Sequence, residues 1–98
     1  MANPLVFSAG TTTINSSHSL RVSKITVVAL SATAVTGQLF DLNGNPLSVL
    51  IAVPAVANSE VTADYSDPLR VPGGANPSVT NAVVVVNGVG GVLYLNHR

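Results

Sequence analysis

The chain has 98 residues, enough for one domain, with 47% hydrophobic residues, only 8% charged residues and a formal net charge of zero. Typical globular domains are about 25% charged, so the shortage of charge is the first constraint on any function. It has no cysteine, which excludes a disulfide framework, a thiolate zinc site and a cysteine nucleophile; Arg21, Lys24, Arg70 and Arg98 are scattered and form no basic patch for nucleic acid.

Val, Ile, Thr and Leu dominate, and turn residues recur about every 8–12 positions, which predicts an all-β domain with essentially no helix. In chain order, strands are expected over about 4–8, 11–15, 20–31, 35–43, 47–53, 60–66, 79–87 and 92–96. That makes a single β-sandwich of about 7–8 mostly antiparallel strands, jelly-roll or immunoglobulin-like in strand order. Residues 1–15 read as an N-terminal strand or arm and residues 16–98 as the sandwich. The opening "MANPLVFSAG" has no basic region and no long apolar core, so no secretory signal is expected and synthesis is placed in the cytoplasm. No apolar run approaches the ~20 residues that span a bilayer as a helix, so no membrane partner is expected.

Within the third strand, Leu20 and Val22 have one parity and Ile25, Val27 and Ala29 the other. Either a bulge near Ser23-Lys24 restores a single inward face, or both faces become buried further along. Next, "LFDLNGNPLSVL" is a hairpin cue: Asn43-Gly44 suits a type I′ turn, and Pro46 starts the return strand. The segment "SDPLRVPGGANPS" reads as a corner between sheets, because Pro68, Pro72 and Pro77 with Gly73-Gly74 oppose a regular central strand. A second hairpin is expected at "VVNGVGG", with Val83 and Val85 on one face of its first strand and Val84 and Val86 on the other.

Candidate chemistry is thin. Ser17-His18 with Asp41, Asp64 or Asp67 supplies the residue types of a hydrolase triad, but there is no G-x-S-x-G elbow, and an exposed serine-rich turn explains Ser17 better. Asp67 precedes Pro68, which reads as turn initiation rather than half of an acid/base pair. "DLNGNP" places Pro46 where a calcium loop needs glycine and Ala52 where it needs glutamate. His18 and His97 have no metal-ligand spacing. No catalytic residue, metal or cofactor is therefore expected, and the chain is not expected to be an enzyme. Of the aromatics, Phe40 is assigned to the core, and Tyr65 and Tyr94 to a rim or interface where their hydroxyls find partners.

The succession "SLRVSKITVVAL", "LFDLNGNPL", "SEVTADYSDPLRVPGG" and "VVVVNGVGGVLYL", spanning roughly residues 15–96, resembles small β-sandwich virion structural proteins of tailed bacteriophages. The resemblance implies a capsid decoration or cement protein made in the host cytoplasm and carried on the capsid exterior. Such a protein is often a homotrimer, and it bridges and stabilises neighbouring copies of the major capsid protein. The alternatives are a tail, connector or fibre-associated virion protein, or a β module that binds a host surface or glycan. On this reading three regions are interface candidates: the N-terminal segment with Pro4, Leu5, Val6 and Phe7; the corner with Tyr65 and Arg70; and the C-terminal strands with Val84, Val86 and Tyr94. The uncharged N-terminal segment is suited to strand addition onto a neighbour.

Overall fold

The computed structural model describes residues 3–15, 18–71 and 80–98. The described residues form eight strands, β1 (Leu5–Ser8), β2 (Gly10–Asn15), β3 (Leu20–Ala29), β4 (Val35–Asp41), β5 (Ile51–Val53), β6 (Ser59–Val71), β7 (Thr80–Asn87) and β8 (Gly91–His97). They form two four-stranded sheets, with orders β1-β8-β3-β6 and β2-β7-β4-β5. Every pairing is antiparallel. The ladder pairs β1 with β8, β2 with β7, β3 with β6 and β4 with β5, so the chain is a ribbon folded on itself and then rolled into a sandwich. That nesting is the jelly roll; an immunoglobulin-like order would keep β7 and β8 in one sheet.

Alternation builds the core. In β4, in β8, from Ala82 on in β7, and on either side of residues 23–24 in β3, every second side chain is buried, and the inward set includes Val22, Ile25, Val27, Val35, Leu39, Val84, Val86, Leu93 and Leu95. Each such side chain contributes roughly 1.5–3 kcal/mol of burial. Gly37 sits opposite the other sheet where a Cβ would lie 2.8 Å from Val27 and 2.9 Å from Leu93, so only glycine admits the close approach of the two layers there.

The bulge anticipated in β3 is present. Val22 pairs with His97 and Lys24 with Asn96, so Ser23 is passed over, and its hydroxyl donates to the Asn96 carbonyl at 3.3 Å. On the other side Val22 pairs with Leu69 and Lys24 with Asp64, which leaves residues 65–68 of β6 looped out against Ser23.

Other expectations are corrected. The corner begins later than expected, because β6 runs through Asp67 and Pro68 to Val71. Pro68 is tolerated because β6 is an edge strand and Pro68 lies in its bulge, where a missing N–H breaks no ladder. The remainder of that corner, with Pro72, Gly73, Gly74 and Pro77, lies outside the described residues.

The turn after β4 is not type I′. Gly44 has φ +82° but Asn43 does not have a positive φ; Gly44 N–H bonds to Asp41 C=O at 3.3 Å and Asp41 N–H to Asn45 C=O at 2.9 Å. This is a three-residue loop with glycine in the left-handed position, nucleated by the Asp41 carboxylate. The return strand is also shortened to Ile51–Val53. Ser48 turns inward and its hydroxyl accepts the Leu39 N–H at 2.9 Å, which displaces regular pairing and swings Val49 and Leu50 into solvent.

The valine-rich C-terminal strands do not form a hairpin. β7 lies in one sheet and β8 in the other, and Asn87–Gly90 arches between the layers. Gly88 and Gly90 have φ +118° and +76°, and Gly91 N–H closes the arch on Gly88 C=O at 3.1 Å.

Candidate interaction surfaces

Polar chemistry is distributed unevenly. Of the four basic and four acidic residues, Arg21, Lys24, Glu60, Asp64, Asp67 and Arg70 lie on β3 and β6, at one side of the first sheet. Lys24 stands opposite Asp64, but Arg21 stands opposite Arg70, a like-charge placement that costs up to about 1 kcal/mol unless another group intervenes. Arg98 follows β8, with its N–H on the Arg21 carbonyl at 2.8 Å. Asp41 ends β4. Its carboxylate is held below the usual range chiefly by the Asn45 backbone N–H and further by those of Asn43 and Gly44 and the Asn45 side chain, against an opposing desolvation effect. The Asp41 Oδ1 contacts to Asn43 N and Asn45 N measure 2.8 and 2.9 Å.

The outer face of the second sheet is nearly free of charge. Register places Thr13, Val83 and Phe40 in one cross-strand row and Thr11, Val85 and Gln38 in the next. Phe40, Leu42, Val83 and Val85, with Asp41 and Gly44 at one end, line a shallow groove of about 300 Å³. Phe40, expected in the core, is therefore a half-buried surface residue, because Leu39 has the inward parity.

One end of the sandwich is also uncharged. The loops after β3, β5 and β7 converge there: Leu30 N–H bonds to Gly90 C=O at 3.1 Å, Ser31 Oγ to Val89 C=O at 2.8 Å, and Asn58 N–H to Ala29 C=O at 2.7 Å. These tie down loops whose tips expose Leu30, Val56 and Val89, the last at 75%.

The interface candidates fall into several environments. Pro4 is exposed, Val6 points outward at 57% exposure, Leu5 packs half-buried on the core and Phe7 is buried within it. From Leu5 onward the N-terminal segment is paired with β8 and then β7 of its own chain, so it is not an arm laid over a neighbour. Val84 and Val86 are core residues at 1% exposure; the outward pair is Val83 and Val85, because inward parity on β7 runs through Ala82, Val84 and Val86. Tyr94 lies on the outer face of the first sheet between Val6 and Thr26. Arg70 is exposed, whereas Tyr65 packs against the core with a buried hydroxyl that has no hydrogen-bond partner among the described residues.

Of the triad candidates, Ser17 lies outside the described residues; Asp41 is committed to its turn, and Asp64 and Asp67 lie on the exposed side of β6. Among the described residues no group of three or more His, Asp or Glu side chains is placed to hold a metal ion. The described residues contain no helix long and apolar enough to cross a membrane.

The strand order makes this chain a jelly-roll β-sandwich module. Neither a scan of protein families nor a search of curated proteins finds a match. Among solved structures, it is similar to the hook-capping protein FlgD of Xanthomonas campestris, with 20% identity, a TM-score of 0.39, and coverage of 95% of this chain and 68% of that one. It is also similar to a chain of infectious bursal disease virus, strain Gt, with 14% identity and a TM-score of 0.32, and to one of strain Gx, with 12% and 0.31. It spans 29% and 28% of those viral chains.

Proposed function

We propose that the chain is a non-catalytic structural protein of a bacteriophage virion, a decoration or cement module on the capsid exterior that bridges neighbouring shell subunits. The observation that carries this reading is the partition of the surface: charge is gathered on β3 and β6, while the outer face of the second sheet, with Asp41 at one end of its groove, and the loop end carry little charge and are partly apolar. A free monomer gains nothing from such faces, whereas a close-packed shell covers them. Single contacts of this size are weak, and repetition by symmetry supplies the strength. The glycan-binding alternative draws less support, because Phe7 is buried and Phe40, Tyr65 and Tyr94 are half-buried and dispersed over both sheets.

The test is to fractionate particles released from bacteria carrying the gene on a density gradient and probe the fractions with antibody to the chain. Co-sedimentation with DNA-filled heads is expected. Detection only in the free soluble fraction overturns the reading, and detection only on detached tails moves the chain to the tail.

A further inference from the structure

A sandwich has edges, and here they are guarded unequally. β1 is four residues long and preceded by Pro4, and β5 is three residues long and followed by Pro54. β6 is long, but it carries Glu60, Asp64, Asp67 and Arg70 and is interrupted by the looped-out residues ending in Pro68. Short length, proline, charge and bulges are the devices that stop one edge from pairing with another. β2 has none of them from Gly10 to Ile14: its register against β7 is regular there, it contains no charge or proline, and Thr11, Thr12 and Thr13 are all exposed. One side of its backbone pairs with β7, and among the described residues no strand pairs with the other.

We propose that β2 is a homotypic docking edge, pairing antiparallel with β2 of a second copy of this chain about a two-fold axis. The choice of a second copy follows from charge. In a two-fold strand pair the central residue faces itself, so any charged side chain there would meet its own like charge. β2 meets its copy with three threonines at the centre and Gly10 and Ile14 at the ends, none of them charged, and Thr–Thr pairs are favourable across antiparallel strands. The regular stretch is centred on Thr12, which sets Thr12 opposite Thr12, Thr11 opposite Thr13 and Gly10 opposite Ile14. The result is a continuous eight-stranded sheet that joins the two uncharged outer faces. A threefold ring requires two different patches to meet, whereas a self-complementary edge closes as a dimer. This inference does not depend on a place in the virion.

The chain has no cysteine, so a single introduced one reports its own contacts. Purified wild type is expected to sediment at twice the 9.9 kDa chain mass, and Thr12→Lys to run as a folded monomer by mass and far-UV circular dichroism. Under mild oxidation, Thr12→Cys is expected to form a covalent dimer, while Val85→Cys and Val89→Cys remain uncrosslinked. A wild type that is monomeric up to millimolar concentration overturns the proposal. So does an oligomer that crosslinks through Val85→Cys or Val89→Cys but at none of Thr11→Cys, Thr12→Cys and Thr13→Cys. If Thr12→Lys does not fold, the crosslinking pattern decides alone. Failure of this edge leaves the virion reading to its own gradient test.

Discussion

Val22 and Ile25 stand three residues apart on β3, yet both are fully buried in the same core. Strict alternation would place them on opposite faces, and the bulge at Ser23 reconciles them. Deleting Ser23 should remove the bulge and keep Leu20, Val22 and Ile25 on one face by plain alternation, with Val22 and Lys24 already opposite the consecutive residues His97 and Asn96. A urea titration should show the deletion variant still folding cooperatively, and Ser23→Ala should shift stability by less than about 1.5 kcal/mol; a deletion variant with no folded baseline would mean that Ser23 is not the extra residue.

Gly37 offers a test of layer spacing. Gly37→Ala should destabilise by about 1–3 kcal/mol through overpacking against Val27 and Leu93. Adding Val27→Ala to that variant should cost less than it does in the wild type, because the removed methyl groups make room. A double-mutant cycle by chemical denaturation measures the coupling, and strict additivity would contradict the contact.

The valine run separates by parity. Val84→Ser should cost at least about 2 kcal/mol, since it empties and polarises a fully buried site, while Val85→Ser on the outer face should stay within roughly 1 kcal/mol in the monomer. Thermal unfolding of both variants checks this, and equal losses would mean that both faces are core.

Tyr65→Phe removes a buried hydroxyl that has no hydrogen-bond partner among the described residues while leaving the ring against the core. An unsatisfied polar group costs about 1–3 kcal/mol, so this variant should be as stable as the wild type or more so. A loss above about 1 kcal/mol would reveal a partner for the hydroxyl.

Asp41 sets an acid limit on the β4–β5 turn. Its folded value lies below the ordinary 3.8, first through the Asn45 N–H, so the carboxylate stabilises the turn at pH above 3.8. That contribution is lost as pH falls through the lower folded value. Amide chemical shifts of Asn43 and Asn45 followed from pH 6 to pH 2 should move together in that window, and Asp41→Asn should abolish the shared titration.

Sequence pattern alone determined an all-β sandwich of about 7–8 strands and a change of phase within β3 for which a bulge was one of two resolutions. These follow from local alternation, because a strand exposes successive side chains to opposite faces whatever it pairs with. The same local signals misplace the partners. "NGVGG" suits a hairpin and an inter-sheet arch equally well, since both need glycine at positive φ. The choice rests on contacts far apart in the chain: β8 is claimed by β1, with Leu5 opposite Leu95, and by β3, while β7 is claimed by β2 and β4. Tertiary structure likewise decided that Val84 and Val86 are core while Val83, Val85 and Phe40 reach the surface. Composition announced faces with little charge, but only the nesting of the ribbon fixed where they lie and left β2 as an edge that, among the described residues, carries neither charge nor proline.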